Sequence, residues 1–417
     1  MGSNPTPSAI PSPAGDADAT ARLRDLAPSP TTALASPAPS PPHAPRVFGL
    51  DLLRALAILS VVGAHAAGVL YPHLPLGFGV VGHGGFYGVE LFFVLSGFLI
   101  GQILLRENSA LAHASRLTTF YIRRWLRTLP LFALFLMLNL VLEALVLHRQ
   151  IPPSEVLSHG LFLSTFARNN VLFFPESWSL AVEEWFYLLF PAALWICLQF
   201  WKRFDRVFLT VAAAFFIFST VGRVLSVHDP RASWADWQRV IVILRFDALM
   251  TGMFAAWIAA RAPVRWRQHR QLYAVAGGLL LLAMYSTLWK VHGGRLEFGD
   301  DDFFARTFRF NLVSLGFALL LPWAASWKVA TENAGSAAVR RIALWSYALY
   351  LVHPPVFNLA IHFLLPAWGR SIAGAAGLFA LLVFSVISSS ALLYRFFESP
   401  CTRLRERVAP AVARLLH

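Results

Sequence analysis

Asp51, Arg54 and His65 sit in GLDLLRALAILSVVGAHA, residues 49–66, a stretch otherwise apolar enough to cross a bilayer. At 3.6 residues per turn the step from Arg54 to His65 is about three turns, so the two share one helix face, with Asp51 within about 60° of Arg54. Ionisable groups inside a membrane are costly and face a protein interior or a water-filled cavity. A histidine beside a carboxylate can take a proton from a hydroxyl in a transition state, the carboxylate fixing the tautomer and stabilising the imidazolium. Arg54, about 16 Å along the helix from His65, suits the phosphates of a donor.

Four further apolar stretches carry polar groups at similar depth. FYGVELFFVLSGFLIG (86–101) holds Glu90, and ESWSLAVEEWFYLLFP (176–191) holds Glu183 and Glu184. RVIVILRFDALMTGMF (239–254) holds Arg245 and Asp247, and IALWSYALYLVHPPV (342–356) holds Ser346, Tyr347, Tyr350 and His353. Arg245 and Asp247, two apart, do not face each other on a helix, so each needs another partner. Tyr350 and His353, three apart, share a face, and Pro354–Pro355 are expected to break the helix and leave backbone groups lining a cavity. For each group the plain alternative is a structural ion pair or a packed side chain. Ser96 and Ser179 lie outside any G-x-S-x-G elbow, and Ser96–Gly97 reads as a close-packing pair rather than a nucleophile. Arg116, Arg123, Arg124 and Arg127 read first as a topology signal or headgroup contact, and second as an attractor for the phosphates of an anionic donor.

These groups need a frame, and composition defines it. The chain has 417 residues, 57% hydrophobic and 14% charged, with mean hydropathy +0.58. A soluble chain carries about 25% charged residues. Ten spanning helices are expected, near 48–69, 87–105, 129–147, 179–200, 207–224, 239–260, 272–289, 308–327, 342–364 and 372–395, each of bilayer length. The fold class is therefore all-α and polytopic. Connections on the side of the N-terminus hold 23 of the 35 Lys and Arg residues, which places both termini in the cytoplasm. The net charge of +13 belongs to these connections and not to a nucleic-acid surface. The two cysteines, Cys197 and Cys401, form no disulfide or metal framework; zinc, P-loop and dinucleotide motifs are missing, so no bound cofactor or metal is expected. Residues 1–45, with eleven prolines, read as a disordered cytoplasmic tail, 46–405 as the membrane domain and 406–417 as a short cytoplasmic end.

Seven segments in order resemble the acyltransferase-3 family of membrane acyltransferases. They are Arg54-x10-His65, FFVLSGFLIG (92–101), FYIRRWLRTLP (120–130), WSLAVEEWFYLLFP (178–191), RFDALMTG (245–252), SYALYLVH (346–353) and RFFESP (395–400). That family includes bacterial O-acetylases of lipopolysaccharide, exopolysaccharide and peptidoglycan, and macrolide acylases. The resemblance implies an enzyme of the bacterial inner membrane that moves an acyl group from acetyl-CoA to a sugar hydroxyl. It makes His65 the catalytic base and Arg54 its companion, with Glu183 at the acidic position after WSL. Where many relatives have Gln next, this chain has Glu184, so either carboxylate is a candidate partner of His65. Glu90 stands where relatives often have Asp. Arg245, Asp247, Tyr350, His353, Arg123, Arg124 and Arg127 are candidates for holding the donor or acceptor. Many members carry an extracytoplasmic esterase-like domain; none is evident here, and a stand-alone acyltransferase is expected. Two readings from other classes compete: a glycan-precursor flippase, against which no internal repeat is evident, and a sensor or scaffold working through the tail.

Overall fold

The computed structural model describes residues 47–169, 173–229, 233–292, 295–298, 302–329 and 331–415, with side chains undescribed at 75–80, in the hairpin at 289–298, and at 407, 410–411 and 413–415. The proline-rich tail expected over 1–45 lies outside the described residues.

The backbone is a bundle of helices. In chain order they are α1 (Phe48–Ala66), α2 (Pro75–Glu107), α3 (Ala114–Leu145), α4 (Pro153–Gly160), α5 (Ser177–Phe200), α6 (Phe204–Ser226), α7 (Phe246–Arg261), α8 (Pro263–Gln268) and α9 (Arg270–Ser286). After them come α10 (Phe303–Arg306), α11 (Arg309–Ser326), α12 (Ala334–Phe363), α13 (Leu365–Trp368), α14 (Ile372–Leu393) and α15 (Ser399–Leu415). One antiparallel hairpin, β1 (Trp289–His292) with β2 (Arg295–Phe298), pairs Trp289 with Phe298 and His292 with Arg295 between α9 and α10. The all-α polytopic class stands.

Seven segments among the described residues are long and apolar enough to span a membrane: 48–70, 81–112, 114–145, 177–200, 204–226, 309–326 and 372–406. Helices also stand at the three other expected positions, as α7, α9 and α12. In α9, Leu272, Val275, Leu279 and Leu282 are all exposed, an apolar stripe like the one Leu134, Met137, Leu138 and Val141 present on α3. Exposed apolar stripes on helices over a buried polar interior are the arrangement a lipid solvent demands.

The core is built around α1 and α2, with α2 packed on α1 and α7, α12 on α1 and α14, and α11 on α9. Small residues permit the closest approach. A Cβ at Gly97 would run into the Leu249 carbonyl of α7, and one at Gly252 into the Val94 carbonyl of α2. The packing role expected for Ser96–Gly97 is what this crossing displays, and Ser96 Oγ is held by Tyr187 Oη at 2.6 Å.

Several boundaries differ from the sequence reading. α2 starts twelve residues before the expected 87, on Pro75 at its first turn, a position that suits proline because its missing N–H has no helical partner there. α3 takes in the arginine-rich stretch expected to be a connection; Phe120 is buried and this half of the helix packs against α15. The sixth expected helix starts only at Phe246, because the chain before it passes through a turn at 239–240 and a single 3-10 turn, Val242–Leu244; there Val242 N–H donates to the Thr165 carbonyl at 2.9 Å. Pro354 and Pro355 do not break α12, which runs through both. The boundary expected after residue 405 falls inside α15.

Candidate active site

A cavity of about 550 Å³ opens at the His65 end of α1. Its wall is assembled from α1, the start of α2, the segment before α5, the turn before α7 and α12. Ligand sites of about 300–1,000 Å³ with a few convergent polar groups are the usual form of a small-molecule pocket.

His65 is exposed to this cavity. Its Nδ1 lies 2.7 Å from Nε2 of His353, which is fully buried, and the two rings stack at 4.8 Å. His353 Nδ1 lies 3.2 Å from the Leu349 carbonyl and also engages the Tyr350 carbonyl. Pro354 has no N–H to give that Tyr350 oxygen, so the histidine supplies the donor that the helix lacks. Carbonyls only accept, so His353 Nδ1 carries a hydrogen and, in the neutral ring, Nε2 accepts. His65 Nδ1 must then donate, which leaves His65 Nε2 as the unprotonated nitrogen. The tautomers follow from the network of partners. A buried chain of two histidines ending on backbone thus presents a base to a polar cavity.

Tyr350 also lines the cavity. Its hydroxyl donates to the Glu176 carbonyl at 2.9 Å and pairs with Ser179 Oγ at 2.5 Å, which accounts for Ser179 without nucleophilic chemistry. His65, Tyr350 and His353 are therefore brought together as the sequence reading placed them by depth.

The partner expected for His65 is not where Glu183 and Glu184 lie. Glu183 accepts from Tyr187 Oη at 3.1 Å and Glu184 hydrogen-bonds Thr128. Both stand within electrostatic reach of Arg124, whose guanidinium lies 5.1 Å from the Tyr187 ring. The position expected for a carboxylate beside His65 is held by His353, because α12 and not α5 packs along this face of α1. Arg123 and Arg127 are exposed on α3 near this second cluster. Arg54 and Asp51 approach to 3.8 Å at the opposite end of α1 from His65.

Glu90 and Arg245 form a fully buried ion pair, with Ser314 Oγ donating to Glu90 at 3.1 Å. Asp247 accepts from Arg223 at 2.9 Å, and Arg223 spends its other donors on the Leu244 and Thr307 carbonyls and on Asn311. Arg245 and Asp247 thus find separate partners. None of these four charged groups lines the cavity; they hold α2, α6, α7 and α11 together behind its wall.

Four cavity residues carried no sequence signal that singled them out: Glu176, Trp178, Trp234 and Arg239. Glu176 stands two residues before Trp178, the start of the WSLAVEE run, whose neighbourhood was the available clue. Burial pushes its carboxyl up to about 7, against the pull of Arg239. Oε2 of Glu176 has no hydrogen-bond partner among the described residues. Arg239 lies with its guanidinium 5.5 Å from the Trp178 ring and 5.6 Å from the Trp234 ring. Aromatic faces beside acidic and basic groups suit a polyhydroxyl ligand, whose ring has an apolar face and a polar edge.

A family model described as an acyltransferase domain, that of the acyltransferase-3 family, matches residues 47–395. The chain belongs to this family. It is 27% identical over 382 residues to the peptidoglycan O-acetyltransferase OatA of Listeria monocytogenes, covering 85% of this chain and 55% of that protein. A Bacillus subtilis protein provisionally named a peptidoglycan O-acetyltransferase is 32% identical over 180 residues, covering 40% of this chain and 26% of its own length. A Staphylococcus aureus protein provisionally named an O-acetyltransferase is 33% identical over 158 residues, covering 35% and 24% respectively. The chain thus spans about half or less of the length of these relatives. No solved structure matches it. The matched region contains every site residue discussed above.

Proposed function

We propose that this multi-pass membrane protein is an O-acyltransferase that moves an acyl group, acetyl in its simplest form, from a coenzyme A thioester to a carbohydrate hydroxyl. The observation that carries this reading is the His65–His353–Leu349 chain, which leaves one unprotonated imidazole nitrogen at a polar, aromatic-lined cavity. Membership of an acyltransferase family supports the reaction class. The relatives named for peptidoglycan O-acetylation support a cell-wall glycan as the acceptor and a bacterial cytoplasmic membrane as the location.

In this reading the acceptor hydroxyl enters the cavity and His65 Nε2 takes its proton as the oxygen attacks the thioester carbonyl. The C–O bond forms, the C–S bond breaks, and the proton passes from His65 to the departing thiolate. His353 holds His65 in the required tautomer, the task that the carboxylate performs in a triad. Arg54, about 16 Å away along α1, receives donor phosphates while the long pantetheine arm reaches toward His65. Arg123, Arg124 and Arg127 guide the same anionic donor at the cytoplasmic mouth. Glu183 and Glu184 hold Arg124 and neighbouring hydroxyls in place there.

The test is transfer of radiolabel from acetyl-CoA to peptidoglycan fragments by purified protein, wild type against His65→Ala. A loss of about 10²–10⁴-fold in kcat is expected for the variant. Equal transfer by both proteins would remove His65 from the mechanism.

A further inference from the structure

Acyl transfer places negative charge on the carbonyl oxygen as the hydroxyl adds, and the largest catalytic term is usually a preorganised partner for that charge. His65 manages the proton and offers nothing to the oxyanion. Arg54 is remote from His65 along α1 and lies beside Asp51. We infer that Arg239 is a second catalytic residue, stabilising the oxyanion, and that the buried Glu90–Arg245 pair is its positioning device. The inference rests on the acyl-transfer reading above.

Three observations carry it. Arg239 is the one Arg or Lys among the described residues lining the cavity, and His65 shares that cavity. It lines that cavity together with His65, Glu176 and Tyr350, the groups that would surround the reacting atoms. Its guanidinium lies against the rings of Trp178 and Trp234, and its Nε donates to the Ala235 carbonyl at 3.4 Å, contacts that hold the cation at the cavity wall.

The backbone of Arg239 is fixed as well. Arg245 Nη1 donates to the Arg239 carbonyl at 2.7 Å. Arg245 in turn is ion-paired with Glu90, and its guanidinium lies 4.5 Å from the Phe310 ring. A buried ion pair recovers little net stability over apolar packing. Here a second donor of Arg245 clamps the backbone carbonyl of the residue that carries the cavity's cation. Residues 239–245 form a turn and a single 3-10 turn, in which the Arg239 N–H donates to the Trp234 carbonyl at 3.1 Å; the Arg245 clamp adds a tie from the Arg239 carbonyl through Glu90 to α2.

The step balances. The acceptor oxygen bonds to the thioester carbon, its proton moves to His65 Nε2, and the carbonyl π pair moves to oxygen beside Arg239. Collapse of that adduct restores the C=O bond, breaks C–S, and the thiolate takes the proton from His65. Arg239 donates hydrogen bonds throughout and is unchanged at the end.

The test uses the full chain in lipid nanodiscs with acetyl-CoA and a soluble tetrasaccharide of alternating N-acetylglucosamine and N-acetylmuramic acid. For Arg239→Met a kcat loss of about 10²–10³-fold is expected, with KM for acetyl-CoA within about threefold of wild type. Arg239→Lys should recover at least a tenth of the rate. Should Arg239→Met fail to fold, Arg239→Gln against Arg239→Lys carries the comparison, the glutamine variant being at least tenfold slower. Glu90→Asp should retain more rate than Glu90→Gln at equal thermal stability, marking a positioning role. A folded charge-removing variant within threefold of wild-type kcat would overturn the inference. A loss confined to the KM for the tetrasaccharide would overturn it too, making Arg239 an acceptor-binding group. No transfer by wild type itself would remove the functional reading, and this inference with it.

Discussion

At the scale of single residues, the site depends on which nitrogen carries a proton. His65 is a base only if its Nδ1 donates, and it donates only because His353 Nε2 accepts. His353 accepts there because its Nδ1 is committed to the backbone of its own helix. Replacing His353 by Leu should lower kcat about 10²-fold with KM for both substrates little changed. His353→Gln should fall between Leu and wild type, because its amide oxygen can accept from His65 Nδ1. Steady-state kinetics on the two purified variants checks both. An unchanged kcat for His353→Leu would show that His65 is oriented without it. Arg54 and His65 were legible as a pair from spacing alone, since a regular helix fixes which residues share a face. His353 as the partner was not legible, because it lies 288 positions along the chain and nothing between says which helix lies against α1.

At the scale of elements, the crossing of α2 and α7 sets where the cavity wall stands. Gly97 and Gly252 bring two backbones into contact, each facing a carbonyl of the other helix. A side chain at either site must push the helices apart. Gly97→Val should cost about 1–3 kcal/mol by overpacking, seen as a lower midpoint in thermal unfolding, and should reduce transfer by shifting Glu90, seven residues earlier on α2. Retention of both stability and activity would mean that the crossing has slack the structure does not display. The prolines of α12 show the same dependence on surroundings. Pro354 removes a backbone donor, which argues locally for a break. The helix nevertheless continues through both prolines, and a side chain beside them, His353, donates to the carbonyl left over.

At the scale of the whole molecule, charge distribution and apolar surface agree on a membrane bundle whose apolar core encloses buried ion pairs. We propose from the Lys and Arg distribution that both termini are cytoplasmic, which sets the His65 end of α1 and its cavity toward the outer face. Cysteine mapping in a background lacking Cys197 and Cys401 checks this. A cysteine at Asn169, beside the cavity, should react with an impermeant maleimide in intact cells. A cysteine at Arg267, on α8, should react only after permeabilisation. The reverse pattern would invert the orientation and put the cavity on the cytoplasmic side.

Composition and hydrophobic periodicity were enough to determine an all-α membrane protein and the register of Arg54 with His65, and seven motifs in order carried the resemblance to the family, because these are local or cumulative properties of the chain. The tertiary structure decided the rest. It paired His65 with His353 in place of Glu183 or Glu184, gathered Glu183 and Glu184 with Arg124, buried Glu90 with Arg245, and brought Glu176, Trp178, Trp234 and Arg239 to one cavity. Each of those outcomes is a contact between elements distant in sequence, set by which helix faces pack together, and helical spacing carries no information about a neighbouring helix.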